Sequence, residues 1–323
     1  MRVKLGLHSF QCSHKFELFA RSHIVENMPF LVNGLISHWP ATKNWSMPRI
    51  LHLYGGKLFS CGNSTVNNSP IIMTLDDYFL HCQSTSNSVS DCHSPLYIFD
   101  STFEEDCEAL LTDYSMPSVF TNCLFATCVP ANFRPNYRWF LVGGTGSGSM
   151  LHVDPLHTSA WNALVTGKKR WVLIEPPLSN KAIPCVDVLR AMSSLIPESF
   201  ISSTNPYALF QACTDLSQQS AFLEEVGNDS IQFELPSGLR CLMFTQCAGQ
   251  TVFVPHGWPH AVLNVELSVA ITHNFLHPST LLSVECAATR LKLFQTIVDS
   301  WCTEVDVPVS VVEAVWHKLS KHS

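Results

Sequence analysis

Charge is what this sequence has least of. Only 14% of its 323 residues are Asp, Glu, Lys or Arg, against roughly 25% in an average soluble domain. That scarcity, without long charge runs, argues against disorder, a coiled coil and a long polar tail. Basic residues are the scarcer sign: 19 Lys and Arg against 26 Asp and Glu leave a net charge of −7. Such a chain does not coat nucleic acid by bulk electrostatics, although an acidic balance suits a basic peptide. No run of about 18 apolar residues occurs, so no membrane-spanning helix is expected. The opening MRVKLGLHSFQCSHKF holds no sustained apolar stretch, so no secretory signal is expected. None of the 13 cysteines stands in a Cys-x-x-Cys pair, which removes zinc ribbons and thioredoxin-like motifs. Their odd number and scatter read as buried thiols in a reducing compartment. There is no internal repeat and no Gly-x-Ser-x-Gly elbow for serine hydrolysis. The glycine-rich GGTGSGS at 143–149 is not followed by Gly-Lys-Ser/Thr, so it is no phosphate loop; a tight backbone turn is its expected role.

What is present is apolar: 46% of residues. By length this is two domains, or one large β-rich domain with extensions. The N-terminal part mixes elements: an apolar run at 30–32 before a turn at Asn33-Gly34, then MTLDDYFLHC, a helix opened by Thr74. A polar stretch, STSNSVSDCHS at 84–94, reads as an exposed loop. From 96 onward short β-rich runs dominate, at 96–99, 137–142, 150–153, 160–165, 170–174, 251–254, 261–265 and 269–275. Such runs with Gly, Pro and Asn between them suggest an all-β sandwich or barrel. Residues 176–235 read as an insertion between two halves of that core, with a helical stretch at 220–226. The tail repeats apolar residues at helical spacing: Val284, Ala287, Ala288, Leu291, Phe294, Val298 and Trp301. A second helix is expected from Ser310, whose spacing to Glu313 is that of a capping box. These helices either pack on their own chain or form a homodimer face. The division expected is an α/β shell at 1–105, a β core at 106–292, and helices at 276–323.

The chemistry concentrates in GSGSMLHVDPLHTSAWNALVTGKKRWVLIEPP. His152 and Asp154 are two apart on an expected strand, where positions i and i+2 share a face. An imidazole beside a carboxylate is two thirds of the 2-His-1-carboxylate triad of non-haem Fe(II) oxygenases. The missing histidine must come from a distant strand, and His260 in VFVPHGWPHAVLNVE is the best placed. His-x-Asp also arises by chance, and spacing alone leaves the two readings nearly level.

Five stretches go further: SPLYIFDS (94–101), RPNYRWFLVG (134–143), HVDPLHTSAWNALVTGKKRW (152–171), TVFVPHGWPHAVLN (251–264) and AITHNF (270–275). Together they resemble the JmjC family of Fe(II)- and 2-oxoglutarate-dependent oxygenases, and within it the bifunctional arginine demethylase and lysyl hydroxylase subgroup. The resemblance runs from about residue 9 to 300. It implies a mainly β fold: a double-stranded β-helix, or cupin-like jelly roll, with an N-terminal α/β shell and C-terminal helices. It implies Fe(II), 2-oxoglutarate and O2, with His152, Asp154 and His260 as iron ligands. Lys169 resembles the lysine that pairs with the far carboxylate of 2-oxoglutarate, Thr272 its hydroxyl partner, and Tyr97 and Asn162 further contacts. Ser149 stands where the family commonly has Thr. The implied reaction splits 2-oxoglutarate into succinate and CO2 while hydroxylating a substrate. On lysine that yields hydroxylysine; on an N-methyl group, a hemiaminal that loses formaldehyde. The implied substrates are Lys/Arg-rich proteins such as splicing factors or histone tails, and the implied location is nuclear, with some cytoplasmic presence. No membrane partner is expected.

The sequence also departs from the pattern. His256 replaces an expected Gly and Pro259 an expected Trp, both beside His260. His256 is expected to face solvent. These changes bear on substrate choice and motivate one alternative, a JmjC binding or scaffold module that has lost turnover. A cupin-type metal enzyme that does not use 2-oxoglutarate is another. The basic, Ser-rich tail of many relatives is not seen here, which weakens the expectations of nuclear targeting and of RNA binding.

Overall fold

The computed structural model describes residues 9–11, 14–66, 69–85, 95–176, 209–211, 213–215, 223–225, 230–235, 238–282 and 287–320. In chain order its strands are β1 (Ser9–Gln11), β2 (Phe30–Asn33), β3 (Leu58–Val66), β4 (Ser69–Thr74), β5 (Tyr97–Asp100), β6 (Arg138–Gly143), β7 (Gly148–His152) and β8 (Ser159–Thr166). Then follow β9 (Lys168–Ile174), β10 (Leu223–Glu225), β11 (Ile231–Glu234), β12 (Arg240–Cys247), β13 (Gln250–Val254), β14 (His260–Asn264) and β15 (Ser268–Phe275). Every β run read between 96 and 275 is a strand, with ends moved by at most two residues.

Two sheets form the core. One runs β1-β2-β13-β8-β15-β6-β5 and the other β10-β11-β12-β9-β14-β7. Every pairing in them is antiparallel except β1 with β2. The strands are far apart in sequence, as in the jelly roll the sequence led us to expect. The N-terminal part contributes β1, β2 and β5 to the larger sheet.

Side chains alternate faces along each strand. On β8, Trp161, Ala163 and Val165 face outward into a core shared with Phe16, Trp39, Trp45 and Phe120 from the N-terminal half. Ala160 faces inward with Trp171 and Leu173 of β9, Val252 and Val254 of β13, and Val262 of β14. Inward positions of the two sheets therefore meet in one interior. The outer face of the smaller sheet, with Val172, Ile174, Met243, Ala261 and Leu263, is covered by Leu209, Phe210 and Cys213.

Local sequence accounts for several element ends. The helix Leu75–Thr85 is capped as expected: the Asp77 backbone N–H donates to Thr74 Oγ1 at 3.1 Å, and Thr74 Oγ1 donates to Asp77 Oδ2 at 2.6 Å. Gly34 after β2 has φ +75. In the turn from β6 to β7, Gly146 has φ +85 and its N–H donates to the Asn264 carbonyl at 2.8 Å. A Cβ on Gly143 would collide with the Asn264 side chain. The glycine run thus lets the chain reverse directly against β14.

Three expectations need correction. Leu223–Glu225, expected to be helical, is a strand paired with β11, because an open sheet edge outweighs a weak local helix preference. Most of the 84–94 loop and of the 176–235 insertion lies outside the described residues, as does Val284. Ser310 does not cap the last helix, Val309–Ser320, but lies inside it. The Pro308 carbonyl accepts from Val311 N–H at 2.9 Å, so Pro308 with its fixed φ starts the helix. Third, β7 ends at His152, so Asp154 lies beyond the strand. Its φ −59 and ψ 138 keep the chain extended, which preserves the i, i+2 relation.

The helix Ala287–Glu304 and the helix Val309–Ser320 pack on their own chain. Phe294, Ile297, Val298, Trp301 and Val315 are buried against Leu124, Phe125 and Leu276. Trp301 Nε1 donates to the Phe133 carbonyl at 2.7 Å. Trp301→Ala is expected to cost about 3–5 kcal/mol of stability, measured by denaturant unfolding. No helix among the described residues is long and apolar enough to cross a membrane. The nine described cysteines assigned as free thiols, Cys61 to Cys302, fit the reading of unpaired cysteine.

On the outward face of β15, His273 is 3% exposed, stacks on Trp161 and has Nε2 3.0 Å from Tyr114 Oη. Burial, helped by the Arg138 charge, pushes its pKa from 6.5 down to about 3. The unfolded chain therefore binds a proton below pH 6.5 that the folded chain refuses. Stability from this group is complete above pH 6.5 and lost as pH falls toward 3, by up to about 1.4 kcal/mol per pH unit. His273→Gln is expected to reduce proton uptake on unfolding at pH 5 by about one proton, read from the pH dependence of the denaturation midpoint.

Candidate metal centre

β7 and β14 pair antiparallel with His260 directly opposite His152. Ala261 and Leu263 face the outer core, so His260 faces inward. The His152 and His260 ring centroids lie 4.2 Å apart. Asp154 Oδ1 is 3.7 Å from His152 Nε2 and 3.9 Å from His260 Nε2. One ligand atom from each of the three residues lies within 4.8 Å of the others. The sequence reading of which residues converge is therefore met in space.

The donor chemistry fits a metal. His260 Nδ1 is 2.9 Å from the Trp258 carbonyl and His152 Nδ1 is 2.8 Å from the Met150 carbonyl. A carbonyl only accepts, so each Nδ1 carries the proton and each Nε2 presents its lone pair to the shared space. Burial, reinforced by His152, lowers the His260 pKa to about 4, which keeps the imidazole neutral, as a ligand must be. Asp154 Oδ2 is buried with no hydrogen-bond partner, a costly state for a carboxylate that a cation relieves. The side chains of Asp154 and His260 are 12% and 6% exposed, while that of His152 is 42% exposed. Access is from the His152 side.

A second charged feature lies deeper. Lys169 of β9 is 1% exposed, and its Nζ donates to Tyr97 Oη at 3.1 Å. No carboxylate among the described residues pairs with it. Burial lowers its pKa from 10.5 to about 7. β9 pairs with β14 so that Leu173 faces His260 and Asn264 faces Lys169. That offset of four residues places the lysine backbone about 13 Å along the strand from the triad, on the same inward face. An ammonium without a counter-ion at the closed end of a pocket is a site for an anion.

The remaining expected residues line the same interior. Asn162 and Thr272 are opposite each other in β8 and β15. Thr272 Oγ1 donates to the Trp161 carbonyl at 2.9 Å, and Asn162 Oδ1 is buried without a partner. Ser149 faces Val262 because a bulge between that pair and His152–His260 inserts one residue on β7. Without the bulge, Ser149 would point to the outer core.

Sequence reasoning missed Asn264. It is fully buried, sits opposite Lys169, and donates from Nδ2 to Ser147 Oγ at 2.9 Å. The signal was available: Asn264 is four residues past His260 on one strand, hence on its face. The expectation that His256 faces solvent is not met. His256 is half-buried. Its N–H donates to Ser159 Oγ at 3.0 Å, and its carbonyl accepts from Asn27 Nδ2 at 3.1 Å. These bonds draw the β13–β14 turn onto the start of β8 and the turn before β2. Pro259 is buried and enters β14 directly, its carbonyl accepting from Ile174 N–H at 2.9 Å.

A model of the JmjC domain, described as a hydroxylase, matches residues 139–275. The arginine-specific demethylase JMJ22 of Arabidopsis thaliana is 33% identical over 259 residues, which is 80% of this chain and 44% of that protein. The bifunctional arginine demethylase and lysyl-hydroxylase psr-1 of Caenorhabditis elegans is 34% identical over 264 residues, 80% of this chain and 58% of that protein. The 2-oxoglutarate and iron-dependent oxygenase JMJD4 of Homo sapiens is 26% identical over 275 residues, again 80% and 58%. The chain spans about half the length of these relatives.

Proposed function

Residues 139–275 of this chain are a JmjC domain, and from that premise we propose that the protein is an Fe(II)- and 2-oxoglutarate-dependent oxygenase acting on protein side chains. The observation that carries the proposal is the converging triad, open on its His152 side, in one pocket with a buried lysine that bonds Tyr97 and meets no carboxylate among the described residues. A triad alone fits many metal enzymes. The ammonium adds an anion site at the depth where a dicarboxylate co-substrate would end.

In this reading His152, Asp154 and His260 hold Fe(II), and Lys169 with Tyr97 holds the far carboxylate of 2-oxoglutarate. Bound iron and 2-oxoglutarate supply the oxidising chemistry with O2. The chain supplies the rest. The Met150 and Trp258 carbonyls fix the tautomer and orientation of the two imidazoles. Thr272, Asn162 and Ser149 present polar groups beside the co-substrate. Trp171, Val262, Leu173 and Phe244 keep the interior dry, so the Lys169 charge acts at low dielectric.

Lysine hydroxylation and methylarginine demethylation share this site, and the substrate class proposed is Lys/Arg-rich protein, such as splicing factors or histone tails. Nuclear residence follows from those substrates, and self-association through exposed parts of the C-terminal helices belongs to the same proposal. The test is succinate release by iron-loaded protein given 2-oxoglutarate and such substrates. Absence of turnover with a full set of basic peptides favours instead a binding module that has kept the fold.

A further inference from the structure

After Asp154 the chain turns through Pro155, Leu156 and His157 into β8. Leu156 and His157 have φ +56 and +53, a left-handed conformation that costs a non-glycine residue on the order of 1 kcal/mol. The turn is fastened: Thr158 Oγ1 donates to the Pro155 carbonyl at 2.8 Å and accepts from Asn274 Nδ2 at 3.1 Å. Across the ladder, Val254 of β13 faces Ala160 of β8. Continuing that antiparallel register, with its bond from His256 N–H to Ser159 Oγ, places His256 opposite Thr158, the residue after His157, and close enough to His157 for the two rings to act on each other electrostatically. Both emerge at the strand ends where Asp154 and His260 also emerge, so the two imidazoles stand at the mouth of the metal pocket. No hydrogen bond engages either side chain's ring nitrogens among the described residues.

We propose that His157 and His256 form a two-imidazole lip that selects a lysine or arginine side chain by accepting hydrogen bonds from its N–H groups as it enters the pocket. The proposal rests on the reading of the site as one acting on such side chains. Both imidazoles are half-buried. Burial lowers the pKa of each, and for His256, where His157 adds to the effect, it falls to about 4. They are thus uncharged at neutral pH and do not repel a cation. A neutral imidazole has one free acceptor nitrogen, so the pair offers two acceptors to an ammonium or guanidinium. Accommodating His157 despite its backbone conformation is understandable if its side chain is used.

The test compares binding of five-residue Gly-Gly-Xaa-Gly-Gly peptides, with Xaa as Lys, Arg or norleucine, to protein loaded with Zn(II) and 2-oxoglutarate. Wild type is expected to favour Lys or Arg over norleucine by about tenfold, the worth of a charge-assisted hydrogen bond. His157→Gly with His256→Gly is expected to erase that preference. His157→Asn with His256→Asn keeps an acceptor and tolerates the left-handed turn, so it should restore most of it; thermal melting confirms that both variants are folded. No preference in wild type, or the same preference in the glycine pair, overturns the proposal. Succinate release is measured in parallel. If it is absent while the preference and its loss are seen, the oxygenase reading falls and the lip stands. If it is present without the preference, the reverse holds.

Discussion

Replacing Asp154 by Ala is expected to lower 2-oxoglutarate-dependent succinate formation by more than about 10²-fold, with the fold retained. Among the described residues, Asp154 is the carboxylate within reach of both imidazoles, 3.7 and 3.9 Å from their Nε2 atoms, and it is the anionic member of the set. Without it two neutral imidazoles remain, and a divalent ion keeps its full charge in a partly buried site. Asp154 also lies past the end of β7, so its removal does not interrupt a ladder. Because the carboxylate has an unpartnered buried oxygen, the apoprotein is expected to gain thermal stability on truncation even as it loses iron. That opposite sign separates a ligand from a structural residue. Iron titration followed by thermal melting reads both: wild type should melt higher with Fe(II), and D154A should show no shift.

Lys169→Met is expected to weaken 2-oxoglutarate binding by about 10²–10³-fold, the usual cost of removing one partner of a buried charge pair. The sign of the pH dependence follows from burial. In the free protein the Lys169 pKa is about 7, so above that pH the side chain is neutral and must take up a proton to meet a carboxylate. Affinity is therefore greatest below pH 7 and falls by up to about tenfold per pH unit above it. K169M should bind weakly with little of that dependence. Isothermal titration in buffers of different ionisation enthalpy reads the proton uptake directly. Equal affinity of the two proteins at pH 6 would show that the ammonium faces some other anion. Strong 2-oxoglutarate binding that needs Lys169 also removes a cupin-type enzyme that does not use this co-substrate.

Much of this site was legible in the sequence because its parts obey local rules. Period two put His152 and Asp154 on one side and would have put Asn264 with His260. The β runs were visible because Gly, Pro and Asn separate them, and the 143–149 glycines marked the reversal against β14. The resemblance to JmjC proteins supplied the pairing of distant strands that spacing could not. What stayed hidden depended on contacts between remote segments. The Leu223–Glu225 strand exists because β11 offers an edge. Ser149 turns inward only through a bulge set by β14. His256 is drawn down by Ser159 and Asn27, 97 and 229 residues away, so no local pattern could have taken it out of solvent. The left-handed turn at Leu156 and His157 has little composition signal either: histidine is one of the side chains that enter this region more readily, but leucine is not.

The low charge content now has a location as well as a consequence. Lys169 is among the buried charged groups, and it lies in the pocket where the co-substrate is proposed. The single most direct test of the account is mass spectrometry of Lys/Arg-rich peptides incubated with iron-loaded protein, 2-oxoglutarate and isotopically labelled O2. The account predicts one labelled oxygen gained on lysine, or a methyl group lost from methylarginine with formaldehyde released. Either change should be matched by succinate and abolished in D154A. Unmodified peptides with no succinate, from protein shown to bind iron and 2-oxoglutarate, would contradict it.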